Sequence, residues 1–179
     1  MARPASDARD RALAAAFAIV VRDGAASLTI GAVAEESGLS KGGVLHHFPT
    51  KDALVLALVE SMVVQWEAAV DAQAETDPEP VGRYTRAFFE ALTAPELTLV
   101  GRGLLAAVAL NPDLLDPLRQ SYLRCQKRFA ADGLDPTVAY ECALVADALW
   151  FNSIFDLPPP PDEVVQALRE KLIAATRAR

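Results

Sequence analysis

The stretch Thr29–Lys51, TIGAVAEESGLSKGGVLHHFPTK, decides how the rest of the chain is read. Ile30, Val33 and Ala34 stand at i, i+3 and i+4 behind Thr29, a good helix cap, so the stretch opens with a short amphipathic helix. Gly38 ends it, because glycine accepts the left-handed conformation that follows a helix C-terminus, and Leu39 is placed to pack back onto the last turn. Ser40 caps a second helix, Lys41 to His47, which Pro49 closes. Two turns of helix are not stable alone in water, so Val44 and Phe48 must pin this one to a core. Two short helices around a glycine turn form a helix-turn-helix, whose second helix enters the major groove of DNA.

Gly42 and Gly43 each cost that second helix about 1 kcal/mol relative to alanine. Either a DNA strand passes close to the backbone there, or the two glycines make a loose turn against the first helix. Lys51 poses a similar choice. In the first turn of the next helix, capped by Thr50, a cation opposes the helix dipole, so it serves a phosphate partner or is simply solvated.

Ser40-Lys41-Gly42-Gly43-Val44-Leu45-His46-His47-Phe48-Pro49-Thr50-Lys51-Asp52-Ala53-Leu54 resembles the signature of the TetR family of one-component transcriptional regulators, and the resemblance runs from about Arg11 to Glu60. It implies a DNA-binding head in which Thr29, Ser40, Lys41, Gly42, Gly43, Val44, His46, His47 and Lys51 serve the DNA contact. It also implies a homodimer on near-palindromic double-stranded DNA, and a fourth helix acting as the lever between head and body. One position departs from the pattern. Leu45 stands where the family usually has an aromatic, often a tyrosine that touches phosphate, which leaves His46 or His47 to take that contact.

The 179 residues are 52% hydrophobic with few strand-like alternations, which places the chain in the all-α class. About nine helices are expected: an N-terminal three-helix DNA-binding head over 1–50 and a C-terminal helical bundle for ligand binding and dimerisation over 51–179. A net charge of −7 argues against a nucleic-acid partner until its distribution is considered. Residues 1–51 carry +1 and the remainder −8, so an acidic body repels DNA everywhere except where the head presents its cations. Cys125 and Cys142 read as buried free thiols in a reducing cytoplasm, with a disulfide as the alternative. No membrane partner is expected: the longest apolar run, Cys142 to Phe155, is broken by Asp147 and Asn152 and falls short of the roughly 18 residues a span needs.

Ahead of the decisive stretch, Met1 to Ser6 reads as a loose arm and Asp7 to Arg22 as a helix with Leu13, Phe17, Val20 and Val21 on its inner face. Beyond it, a long helix runs from Thr50 to about Ala74, and Asp77-Pro78-Glu79-Pro80 breaks the chain. Three helices follow, over about Val81 to Thr93, Pro95 to Leu110 and Asn111 to Ala131. An effector pocket, if present, is expected among Trp66, Phe88, Phe89, Leu92, Leu104, Leu105, Val108, Tyr122 and Phe129, any of which could equally be packing. Arg124, Lys127 and Arg128 read as a solvated stripe paired with local acids. Pro136 to Phe155 is apolar nearly all round and so must be buried on more than one side, and Asp162 to Thr176 is amphipathic. Two such helices per subunit suit a dimer interface built from Leu144, Ala148, Phe151, Phe155, Val165, Leu168 and Leu172.

The expected function is a DNA-binding regulator, a repressor released by a small apolar or amphipathic ligand. The alternative is an adaptor that uses the helix-turn-helix to bind protein. Catalysis is not expected. The two histidines are adjacent and cannot make the i, i+4 metal pair of a helical site, and no Glu-x-x-His motif, cysteine cluster or phosphate-binding glycine loop accompanies them. Neither a metal nor a cofactor is therefore anticipated.

Overall fold

Thr29, Ser40 and Thr50 each begin a helix, and each hydroxyl accepts a backbone N–H three residues on: from Ala32 at 3.1 Å, Gly43 at 3.0 Å and Ala53 at 3.0 Å. These caps set the spacing of the decisive stretch in a computed structural model that describes residues 5–93 and 111–177. The helices are α1 (Ala5–Asp23), α2 (Ile30–Ser37), α3 (Lys41–His47), α4 (Lys51–Thr76), α5 (Arg83–Leu92), α6 (Asp116–Ala131), α7 (Pro136–Ile154) and α8 (Asp162–Ala175). Short 3₁₀ turns occupy Ala25–Ser27 and Pro112–Leu115, and no strand occurs among the described residues. The helix expected from Pro95 to Leu110 and the arm with Arg3 lie outside them. Asn111 and Pro112 open a 3₁₀ turn rather than the α-helix itself, which starts at Asp116.

Two compact units emerge. Among the described residues the first holds 5–63 and 111–119, and the second holds 64–93 and 120–177. The first extends past residue 50 because α2 and α3 are too short to bury a core alone. Leu54, Val55, Leu58 and Val59 of α4 therefore join Ala12, Ala16, Ile19, Leu28, Val33, Val44 and Phe48 in one aliphatic cluster.

The inner face of α1 is only partly the one expected: Val20 lies in the core and Leu13 packs against it, but the rest differs. Ala12, Ala15, Ala16, Ile19 and Val20 are buried, whereas Phe17 and Val21 are exposed and Leu13 only half-buried. Small side chains on α1 allow close approach of two short helices, and bulk alone misidentified the face. Gly38 has φ 66°, and its N–H reaches the carbonyl of Glu35 at 3.2 Å while that of Leu39 reaches Ala34 at 3.0 Å, the expected stop.

The second unit is packed with rings. Phe88 meets Trp66 edge-on at 5.4 Å and Phe129 at 5.1 Å, and Tyr84 lies 5.4 Å from Phe129. Its polar groups act over long sequence distances. The Asp132 carboxylate accepts from the backbone N–H groups of Tyr84 (3.1 Å) and Thr85 (2.8 Å) and from the Thr85 hydroxyl (2.7 Å), so it caps α5 from elsewhere in the chain. Arg86, 4% exposed, pairs with Asp77 at 2.7 Å and donates to the carbonyls of Glu79 (2.8 Å) and Val81 (3.0 Å) and to the Thr176 hydroxyl (3.2 Å). Gly82, at φ 77°, makes room for this arginine, because a Cβ there would come within 2.8 Å of Nη1.

Two of the three cations in the basic stripe are paired. Arg124 meets Glu67 at 2.8 Å, and Arg128 pairs with Asp71 while lying 3.9 Å above the Tyr84 ring. Among the described residues, α4 rather than the Cys142–Phe155 run is, by length and composition, the helix apolar enough to cross a membrane. Its apolar side chains buried in the two cores include Leu54, Val55, Leu58, Val59 and Val63 in one and Trp66, Val70 and Ala74 in the other, while Val64 is exposed.

Candidate nucleic-acid interface

Seven residues of α3 divide cleanly. Val44 and, just past the C-terminus, Phe48 are 0% and 2% exposed and belong to the head core. Lys41, Gly42, Leu45 and His46 are exposed, and their i, i+4 spacing places them on one continuous outward face. Val44 is therefore removed from the expected contact residues, because its side chain is consumed by the packing that holds the helix in place. Gly43 and His47 are half-buried, with the His47 ring 5.1 Å from that of His46 and 6.4 Å from Phe48.

Thr29, Ser40 and Lys51 are all exposed. Although the two hydroxyls accept the capping N–H groups, each keeps a hydrogen to donate outward, so capping and an anion contact are compatible. The two lysines differ from the arginines around them. Arg9 lies 5.5 Å over the Phe48 ring, Arg11 donates to the Ser37 carbonyl, and Arg22 is held firmly charged by Glu36 and Asp23. Among the described residues, Lys41 and Lys51 have no ion-pair partner. Gly31, not singled out from sequence, leaves room for the Lys41 side chain, since a Cβ at 31 would stand 3.3 Å from the Lys41 Cε. A glycine near the start of a helix with a lysine ten residues on was the only signal, and it is a weak one.

In the second unit Trp66, Phe88, Phe89, Leu92 and Phe129 are buried against one another and build the core. Leu104, Leu105 and Val108 lie outside the described residues. Half-buried Tyr122 donates to Asp147 at 2.5 Å. Burial pushes the Tyr122 hydroxyl well above its ordinary pKa, and burial likewise raises the Asp147 carboxyl, an effect the hydroxyl partly offsets. The indole N–H groups of Trp66 and Trp150 are buried with no hydrogen-bond partner among the described residues. Asp147 and Trp150 stand one turn apart on α7, and neither was singled out as a site residue from sequence. A surface groove of about 540 Å³ lies elsewhere in the unit, lined by Glu90 of α5 and by Gln166, Arg169 and Ile173 of α8.

Of the residues expected at a dimer interface, Leu144, Phe151 and Phe155 are 64%, 53% and 51% exposed, and Ala148 lies exposed among them. Val165 and Leu168 are half-buried. Leu172 is corrected: at 5% exposure it belongs to its own unit's core, with its carbonyl 4.0 Å from the Cys142 Sγ. Both cysteines are free and buried, and burial raises both thiols, Cys142 to about 11, which disfavours the thiolate.

The chain matches two families. Residues 12–58 match the bacterial regulatory proteins of the tetR family, and residues 82–177 match the tetracyclin repressor-like C-terminal domain. Among solved structures, a TetR-family member from Streptomyces coelicolor A3 is 26% identical, with a TM-score of 0.70 over 94% of this chain and 97% of that one. The multidrug binding protein EbrR complexed with malachite green is 28% identical, with a TM-score of 0.69 over 93% of this chain and 96% of its own. Its complex with imidazole gives 27% and 0.66, over 93% and 88%. No curated protein gave a significant match.

Proposed function

Because this chain belongs to the TetR family, we propose that it is a homodimeric, sequence-specific DNA-binding repressor, released from its operator by a small apolar or amphipathic ligand. The observation that carries this reading is the division of α3. A helix of two turns spends Val44 on the core and turns Lys41, Gly42, Leu45 and His46 outward, with Lys51 exposed in the first turn of the next helix. Residues 1–50, packed on the first half of α4, then serve as the reading head and most of the remainder as the effector and dimerisation body, working in the cytoplasm.

Ligand binding is supported by the likeness to EbrR, a multidrug binding protein solved with malachite green. Within this chain it is supported by the indole N–H groups of Trp66 and Trp150, buried without a hydrogen-bond partner among the described residues, and by the half-buried Tyr122–Asp147 pair, polar groups set in an apolar surround. Dimerisation through α7 and α8 is supported by the exposed Leu144, Ala148, Phe151 and Phe155 beside Val165 and Leu168. The ligand acts only if it binds the DNA-competent and DNA-incompetent states with different affinity.

The test is a titration of the full chain against DNA flanking its own gene at two salt concentrations, with wild type and Lys51→Ala. Wild type is expected to bind as two subunits per site, with affinity falling steeply as salt rises. Lys51→Ala is expected to weaken binding to all sequences and to reduce the salt slope by about one per subunit. Binding no better than to random DNA, or a slope untouched by Lys51→Ala, would overturn the reading and favour a protein-binding adaptor.

A further inference from the structure

We infer that Leu45 is a specificity-determining residue that reads the methyl group of a thymine in the major groove, an inference that rests on the DNA-binding reading above. Leu45 is 43% exposed on the outward face of α3 and belongs to neither hydrophobic core. Val44 and Phe48 already fill the contact between this helix and the head, so folding makes no use of a branched apolar side chain at 45.

Gly42 points to what meets that face. A Cβ at 42 would touch only the Ser40 Oγ, at 3.9 Å, which is ordinary contact, so the fold itself leaves room for alanine, the better helix former. Gly43 is different: a Cβ there would come within 3.3 Å of the same hydroxyl that caps the helix. The absent side chain at 42 therefore has its use outside the protein, in letting another surface reach the helix backbone. Lys41 and Leu45, and Gly42 and His46, are i, i+4 pairs, so a surface that reaches the backbone at Gly42 meets Leu45 and His46 one turn later.

Leucine has neither donor nor acceptor and cannot hold a phosphate. The apolar group that base edges present in the major groove is the C5-methyl of thymine. A leucine brought to that depth by a glycine neighbour gains by covering such a methyl and loses against cytosine, whose edge there is a polar amino group. The two-fold operator then carries one such T·A pair in each half-site.

The experiment selects duplexes from a random-sequence library with the full chain, then replaces each thymine of the selected site, one symmetric pair at a time, by deoxyuridine, which removes only the methyl. Wild type is expected to lose about fourfold in affinity per half-site at one symmetric position. Leu45→Ala is expected to bind the thymine and uracil duplexes equally there, while keeping the wild-type salt slope and helical circular dichroism. The inference is overturned if no thymine shows a methyl effect that disappears in Leu45→Ala, or if Leu45→Ala alters the salt slope instead, which would make 45 a backbone contact. A library that yields no sequence-preferring, salt-sensitive complex would mean that DNA binding itself fails, a result distinct from either.

Discussion

The core beneath the helix-turn-helix is aliphatic: Ala12, Ala16, Ile19, Leu28, Val33, Val44, Leu54 and Val55, with Phe48 as its one ring. That of the second unit is built from Trp66, Tyr84, Phe88, Phe89 and Phe129, and beside it Arg86, Asp132, Thr85 and Thr176 are buried as well. In the head, the cap bonds of Thr29, Ser40 and Thr50 each span three residues, and the arginines sit on its surface. In the second unit Asp135 caps α7 locally, but Asp132 caps α5 across 47 and 48 residues and Arg86 reaches Thr176 across 90. The helix starts of the head are thus specified by neighbours along the chain, whereas the ring-packed second unit adds distant polar groups that fix how its helices stack, because ring-on-ring packing alone tolerates several arrangements.

The largest break in that contrast should come from Arg86→Met. Removing the guanidinium leaves Asp77, 16% exposed, without its cation and strips the carbonyls of Glu79 and Val81 of their donor, an expected loss of about 3–5 kcal/mol. Both tryptophans of the chain, Trp66 and Trp150, lie in the second unit, so urea unfolding followed by indole fluorescence reads it directly. The sign with pH follows from the depressed Asp77 pKa, set first by the hydrogen bond from Arg86. The pair's contribution is present above the ordinary carboxylate range and fades as pH falls through the depressed value, so variant and wild type should converge in strong acid. A loss below about 1 kcal/mol at neutral pH would place Arg86 with ordinary surface charges.

A smaller effect is expected in the head from Gly38→Ala. At φ 66° an alanine is strained, and its Cβ would stand 3.2 Å from the Arg11 Nη2, so destabilisation of about 1–2 kcal/mol should appear in thermal melts followed by far-ultraviolet circular dichroism. An unchanged melting temperature would mean that the turn between α2 and α3 is not held by local backbone preference.

The smallest change, and one of opposite sign, is Asp147→Asn. Asparagine keeps an acceptor for the Tyr122 hydroxyl and removes a half-buried charge. Because burial raises the Asp147 pKa, its share of stability is complete below the ordinary carboxylate value and is lost as pH rises through the folded one. The variant should gain up to about 1 kcal/mol above neutral pH and nothing in acid, as read by urea midpoints at the two extremes. Destabilisation at neutral pH would show that the charge itself holds a partner.

The same contrast decides what could be read in advance. Thr29, Gly38, Ser40, Thr50 and Pro136 act within a turn of where they stand, and the helix limits they imply agree with the structure to within a residue or two. Of the outward face of α3, Lys41, Gly42 and His46 were legible, whereas Val44 had been given both to packing and to contact, Gly43 and His47 are half-buried, and the exposed Leu45 was not among the expected contacts. The bond from Arg86 to Thr176 and the capping of α5 by Asp132 leave no local pattern, and neither does the use of Ala12, Ala15 and Ala16 in place of Phe17 as the inner face of α1.

From residue order alone came the all-α class, the helix-turn-helix, its family and the neutral head on an acidic remainder, because capping, glycine turns and charge are properties of neighbours. Tertiary structure alone decided which cations are spent on the protein: among the described residues Arg9, Arg11 and Arg22 are engaged, while Lys41 and Lys51 are exposed with no ion-pair partner. It also decided that Leu172 faces its own core while Leu144 and Phe151 do not. A charge or a leucine looks the same in sequence whether or not a partner lies across from it, and only the packing of distant segments brings that partner within reach.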